Sequence, residues 1–162
     1  MAGIKLLKKT PQNLNYIVNH LVNPDAKKYL FDDFYGYTEI SSVLYSPVTF
    51  IYGIFSKGEP EPKGAVFFTS AIPYRSADLY GIIFDKSLRG KGLIKEVTEK
   101  IENDIRRRIH LKSVSASIIG KNDAVEHILG ELGFEKIGVK KKYIVTGGKY
   151  KDVNIYYKVF KE

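Results

Sequence analysis

The 162-residue chain has no cysteine, which excludes a disulfide framework, a thiolate metal site and a cysteine nucleophile together. Its three histidines, His20, His110 and His127, are too scattered to suggest a zinc site, so no metal is expected. No stretch approaches the roughly 20 apolar residues of a membrane span. Met1 to Thr10 offers only a short mixed apolar stretch before lysines and Pro11 intervene, too little for the core of a signal peptide. The expectation is a cytoplasmic protein without a membrane partner. Internal repeats and low-complexity linkers are also missing, so residues 1–162 read as one domain.

What is present is an ordinary globular composition, with 44% apolar and 27% charged residues, enough to build a core and too apolar for wholesale disorder. Twenty-six Lys and Arg against eighteen Asp and Glu leave a formal charge of +8. That bias suits a nucleic acid, an anionic surface or a phosphorylated cofactor equally well.

Periodicity predicts the elements. Ile4 to Lys8 reads as a strand, and Leu14, Ile17, Val18 and Leu21 recur at helical spacing after Pro11. Pro24 opens a second helix carrying Tyr29, Leu30, Phe31 and Phe34, which is expected to stop at Gly36. Val48 to Phe55 and Ala65 to Ala71 are β-branched and aromatic around the turn-forming Lys57 to Gly64, an antiparallel hairpin. Asp78 to Phe84 forms another strand and leads through Asp85 to Gly92 into a long helix with Ile94, Val97, Ile101 and Ile105 on one face. Val114 to Ile119 is a short strand. Asn122 caps a helix with an apolar stripe of Val125, Ile128, Leu129 and Leu132, ended by Gly133. Strands from Phe134 to Val145 and Val153 to Phe160 flank the hairpin glycines Gly147 and Gly148. The predicted order is β-α-α-β-β-β-α-β-α-β-β.

The chemistry concentrates in Arg89, Gly90, Lys91, Gly92, Leu93 and Ile94, between a strand and a helix. Glycines let the backbone turn tightly and approach a ligand, and the unpaired N–H groups and dipole of a helix start attract phosphate. The spacing fits neither the P-loop nor the Rossmann fingerprint. A diphosphate is the natural ligand.

These residues resemble the Q/R-x-x-G-x-G/A signature of the GNAT superfamily of acyl-CoA-dependent N-acyltransferases, with Arg89 and Gly92 matching. Asn122 to Phe134 is similar to the family's asparagine-led helix ending in Gly-Phe, and the hairpin around Gly148 to Asp152 is also similar. The resemblance covers about residues 78–160. It implies an α+β fold, a central mixed, mostly antiparallel, splayed sheet of about seven strands flanked by about four helices. It further implies that acetyl-CoA is the acyl donor, its pantetheine pairing with backbone around Ile83 and Phe84, its pyrophosphate on the amides of Arg89 to Ile94, and Asn122 orienting it. The acceptor would be a small-molecule or protein amine, attacking the thioester directly in a ternary complex.

Asp78 begins the strand that would flank the thioester, roughly where some family members carry a glutamate, and is the candidate general base. Tyr35, Tyr37 and Glu39 lie in an aromatic and acidic segment suited to a cationic amine. The chain departs from the family pattern at Ile94 and Val125, where small residues are usual, and at Leu129, where many members place a tyrosine that protonates the thiolate. The general acid is therefore left open. A CoA-binding module without turnover is the alternative that these departures suggest, and a basic nucleic-acid-binding protein is a third. Nucleic acid is the less favoured partner because no recognised motif for it is present. Edge strands in the C-terminal half allow a homodimer.

Overall fold

The computed structural model describes residues 2–162. Along the chain lie β1 (Ala2–Leu6), α1 (Pro11–Leu21), α2 (Pro24–Leu30), α3 (Tyr37–Tyr45), β2 (Phe50–Ser56), β3 (Gly64–Thr69) and β4 (Ser76–Ile83). A 3₁₀ turn at Lys86–Leu88 precedes α4 (Leu93–Ile109), β5 (Ser113–Ile119), α5 (Asp123–Glu131), β6 (Glu135–Thr146) and β7 (Lys149–Val159). The first two helices start where side chains cap them and proline pre-sets the backbone. Thr10 accepts the N–H of Asn13 at 3.2 Å ahead of Pro11, and Asn23 accepts that of Asp25 at 3.0 Å ahead of Pro24.

The strands form one seven-stranded sheet in the order β1-β2-β3-β4-β5-β7-β6. Every neighbouring pair is antiparallel except β4 and β5, which the α4 crossover makes parallel. Helices cover both faces. On one, Leu14, Ile17, Val18 and Leu21 of α1 and Ile40 and Leu44 of α3 pack onto Ile51, Ala65, Phe67 and Ile82. On the other, Val97, Ile101 and Ile105 of α4 and Leu129 of α5 pack onto Val66, Phe68, Leu79 and Val114. Alternate residues of β3 therefore serve opposite cores, which is why that strand reads as a continuous apolar run. The helical spacing in α4 is expressed at Val97, Ile101 and Ile105, all 0% exposed, while Ile94, the first of the predicted face, is only partly buried. Truncating one of these isoleucines to alanine would cost about 2–5 kcal/mol.

The parallel pair is short, and this shapes the molecule. β4 and β5 pair only from Ser76 opposite Ser113 to Leu79 opposite Ala116. Beyond that, β4 stays bonded to β3 as far as Ile83, while β5 stays bonded to β7 as far as Ile119. The facing edges of Tyr80 to Ile83 and Ser117 to Ile119 separate, and the sheet splays open.

Two expectations need correction. The second helix stops at Leu30, because Phe31 is already extended (φ −137°, ψ 151°). The following residues turn away through contacts with the distant β6–β7 hairpin. A further helix, α3, follows Gly36, giving five α-helices instead of about four. The terminal strands also differ in detail. β7 begins at Lys149, and β6 is bulged between Lys136 and Gly138 and between Lys140 and Ile144.

Candidate active site

The segment from Asp85 to Ile94 begins as a hydrogen-bonded turn and ends with its backbone donors unpaired. Asp85 accepts both the N–H and the hydroxyl of Ser87, at 2.9 and 2.7 Å, which fixes the 3₁₀ turn and holds the Asp85 carboxyl below its ordinary pKa. The Arg89 N–H is used within that turn, donating to the carbonyl of Lys86 at 3.2 Å. From Gly90 to Lys95, no backbone N–H has a partner among the described residues, and the first α4 bond is Glu96 N–H to Gly92 carbonyl. Gly90 and Gly92 adopt φ of +75° and +71°, the left-handed region that glycine enters without penalty. A Cβ at either position would meet no atom within 4 Å. The turn thus presents a row of unpaired amides and open space at the positive end of a 17-residue helix. Lys91 adds an exposed cation.

This turn opens into the splay. A cleft of about 360 Å³ is lined by β4 from Leu79 to Ile83, β5 from Ala116 to Ile119, the turn residues Arg89, Gly90, Gly92, Leu93 and Ile94, and α5 with Asn122. The sequence-predicted residues Ile83, Arg89, Gly90, Gly92, Leu93, Ile94 and Asn122 therefore meet in one place. Phe84 does not join them. Its ring stacks on His20 of α1 at 4.2 Å, and its N–H donates to Lys63 at 2.7 Å. Asn122 caps α5 by accepting the N–H of Val125 at 3.3 Å. Arg89 donates its Nε to the Ile83 carbonyl at 2.8 Å, tying the turn to the end of β4. Ile94 lies over Gly81 of β4, its Cδ1 3.5 Å from where a Gly81 Cβ would lie, an ordinary packing distance, so the branched side chain is seated without crowding the strand. Leu129 is buried and apolar on the cleft wall. Apart from Tyr80, whose ring lies on the other face, the hydroxyl-bearing residues lining the cleft are Tyr29, Thr98 and Ser117, and the Thr98 hydroxyl already donates to the Ile94 carbonyl at 2.5 Å. Tyr29 and Ser117 were not legible as site residues, because their place depends on α2 lying against β5 and on where the ladder ends.

The opposite face of the splay carries Asp78, in register between Thr69 of β3 and Ser115 of β5. Surrounding atoms desolvate its carboxyl and push the pKa up, although solvent still reaches the residue, and the Lys140 ammonium pulls it partly back. Tyr80 lies two residues along the same face and stacks on Phe67 at 5.1 Å and Phe31 at 6.1 Å. Tyr35 stacks on Phe31 at 5.3 Å and so borders this face. The other two predicted acceptor residues have structural partners. Tyr37 donates its hydroxyl to Asn15 at 2.7 Å, joining α3 to α1, and Glu39 accepts the Gly36 N–H at 2.8 Å, closing the first turn of α3.

The two acids of this segment, Asp32 and the exposed Asp33, are both engaged by backbone N–H groups. Asp32 accepts the N–H groups of Phe34 and Val145, at 2.8 and 2.7 Å. Asp33 accepts those of Gly147 and Gly148, at 3.0 and 2.9 Å, and these two bonds hold its carboxyl below the ordinary value. The loop that carries Tyr35 is therefore fastened to the tip of the β6–β7 hairpin.

The structure superposes on the spermidine N-acetyltransferase of Vibrio cholerae, solved with CoA and spermine, with a TM-score of 0.80 over 98% of this chain and 95% of that one, at 19% identity. The chain has the GNAT acyltransferase fold. A ribosomal-protein-S5-alanine acetyltransferase from Vibrio fischeri aligns with a TM-score of 0.76 over 98% of this chain and 92% of that one, at 17% identity. In sequence, the chain is 28% identical over 104 residues to the [ribosomal protein uS5]-alanine N-acetyltransferase of Escherichia coli, covering 64% of this chain and 54% of that protein. It thus spans about half the length of the curated relative it matches. No family model matches the chain.

Proposed function

We propose that the protein is an acetyl-CoA-dependent N-acetyltransferase acting on a small-molecule or protein amine by direct attack in a ternary complex. The carrying observation is that the sheet splays beyond Leu79 and Ala116 directly onto the unpaired amides of Gly90 to Lys95. A diphosphate fits those donors and the open space beside Gly90 and Gly92, with Lys91 adding charge. The separated edges of β4 and β5, including Ile83, accept an extended pantetheine arm, and Asn122 closes the cleft from α5. Acetyl-CoA supplies an activated acyl group. Asp78 takes the proton that the ammonium must lose before attack, directly or through a water, and its raised pKa makes it a better base. The new C–N bond forms as the C–S bond breaks; the nitrogen, cationic after attack, sheds its second proton to solvent, and the departing thiolate takes a proton from solvent or from a hydroxyl on the cleft wall. Tyr35 borders the acceptor, while Tyr37 and Glu39 act through the shape of α3.

The protein would work in the cytoplasm as a monomer or as a homodimer through the unpaired outer edge of β6. Thiol release from acetyl-CoA across a panel of amino acids, peptide N-termini, amino sugars and polyamines tests the proposal. Amine-dependent release is expected. Binding of acetyl-CoA without release for any amine would favour the non-catalytic module, and absence of binding at millimolar ligand would remove the CoA assignment.

A further inference from the structure

The pole of the molecule opposite the cleft has a composition that the acetyltransferase reading does not use. It lies at the C-terminal end of α4, about 25 Å from Leu93 along a helix rising 1.5 Å per residue. Arg106, Arg107, Lys100 and Lys112 line an open groove there. Arg75 adjoins it, because its carbonyl accepts the N–H of Lys112 at 2.8 Å, and Lys161 adjoins it through its carbonyl bond from Arg106 at 2.7 Å. Three of these cations have carboxylate partners, all in exposed or shared pairs, beginning with Lys100, which meets Glu96 at 3.3 Å one turn earlier on α4. Asp104 is shared between Arg108 at 2.6 Å, Arg107 at 3.5 Å and the hydroxyl of Tyr52 at 2.7 Å. Glu162 meets Lys112 at 3.2 Å in an exposed pair, a type that contributes little and leaves the cation available. Arg75 has no carboxylate partner among the described residues, and Arg107 is 80% exposed.

A second, independent feature sits on the same pole. Tyr74 and His110, from different loops, stack face to face with ring centroids 5.0 Å apart and planes 12° apart. Both are non-glycine residues in the left-handed region, at φ of 64° and 57°, a conformation that persists only where surrounding structure enforces it. The Tyr74 N–H donates to the Ile109 carbonyl at 2.9 Å, which locks the two loops together. The enforced geometry holds Tyr74 outward, 66% exposed, so it does not serve the core.

We propose that this pole binds a single-stranded nucleic acid, its phosphates along the groove of Arg106, Arg107 and Lys112 with Arg75 on the adjoining loop, and a base stacked on the Tyr74–His110 pair. An acidic peptide would use the cations but has no use for a rigid exposed aromatic stack, whereas every base presents a π face. The sequence shows no recognised nucleic-acid motif because the two halves of the platform are separated by 36 positions. The surface is remote from the cleft and stands or falls independently of the acetyltransferase reading.

The test is fluorescence anisotropy with 12-nucleotide single-stranded RNA and DNA, with duplex DNA and an oligoglutamate peptide as comparators. Three or four phosphate contacts at a slope of about −0.7 each predict a loss of roughly 20- to 50-fold in affinity between 50 and 200 mM salt. Tyr74→Asn keeps a residue that tolerates left-handed backbone and removes the ring. It is expected to weaken binding about tenfold with the salt slope and thermal midpoint unchanged. Arg107→Ser is expected to flatten the slope by about 0.7. Tighter binding of one strand type identifies whether RNA or DNA is the source. No binding of either strand at 25 mM salt, equal affinity for oligoglutamate, or an unchanged affinity in folded Tyr74→Asn would each overturn the proposal.

Discussion

Replacing Gly92 by asparagine and, separately, by aspartate isolates the charge term at the diphosphate turn. The position has φ +71° and open space where a Cβ would project, so either side chain fits and only the left-handed backbone is penalised. Asn and Asp both visit that region more readily than other L residues, so the backbone penalty, at most about 1–2 kcal/mol, is shared by the two variants and cancels in their comparison. The two variants are nearly isosteric and differ by one negative charge. Two diphosphate charges about 5 Å from a new carboxylate repel it by about 1.7 kcal/mol in bulk-water dielectric, and by more where water is partly excluded. Because the turn is exposed, we expect a difference of about 2 kcal/mol, roughly 30-fold in Kd for acetyl-CoA. Calorimetry at low salt measures it, and the gap should shrink at physiological ionic strength as the charges are screened. Equal affinity of the folded Asn and Asp variants would show that no diphosphate rests on this turn.

Asp78→Asn should lower kcat/KM by about 10²- to 10⁴-fold and abolish an acid limb lying above the ordinary carboxylate pKa. Because the folded-state pKa is raised, the unfolded chain binds fewer protons between the two values, so ionised Asp78 lowers stability as pH rises through that window. The asparagine variant should therefore be no less stable near neutrality, which a thermal melt checks. Asp33→Ala should speed amide exchange at Gly147 and Gly148 and raise the KM for the amine, with acetyl-CoA affinity unchanged. Lys158 contacts buried Glu102 at 2.7 Å and the Leu132 carbonyl at 2.8 Å. Lys158→Met leaves a buried carboxylate without its partner and should cost about 3–5 kcal/mol in denaturant melts. Burial raises the Glu102 pKa, so that loss should diminish at lower pH, whereas Glu102→Gln should cost less at neutrality.

Where local pattern and tertiary context agreed, the sequence was sufficient. The stripe of Val97, Ile101 and Ile105 is fully buried, and Gly147 and Gly148 turn the hairpin at φ of 60° and 73°. The diphosphate turn was legible because its glycines and helix start are contiguous in the chain. The region from Phe31 to Tyr45 was not. Asp32 and Asp33 look like ordinary helix-end acids, but their partners lie more than 110 residues away on a hairpin whose position no local signal encodes. The helix α3 was missed because Thr38, Ser41, Ser42 and Val43 dilute its helical propensity, and burial of Ile40 and Leu44 against α1 decides the outcome. The acceptor trio divided for the same reason. Tyr35 reaches the aromatic wall, while Tyr37 and Glu39 are used up in joining and starting α3.

The most direct measurement is an amide-resolved NMR titration with acetyl-CoA. Saturable shifts at one equivalent are expected in the N–H groups of Gly90 to Lys95 and of Ser117 to Ile119, on opposite walls of the splay, with Tyr74 and His110 at the far pole unmoved. Shifts confined elsewhere, or none at saturating ligand, would contradict the CoA assignment.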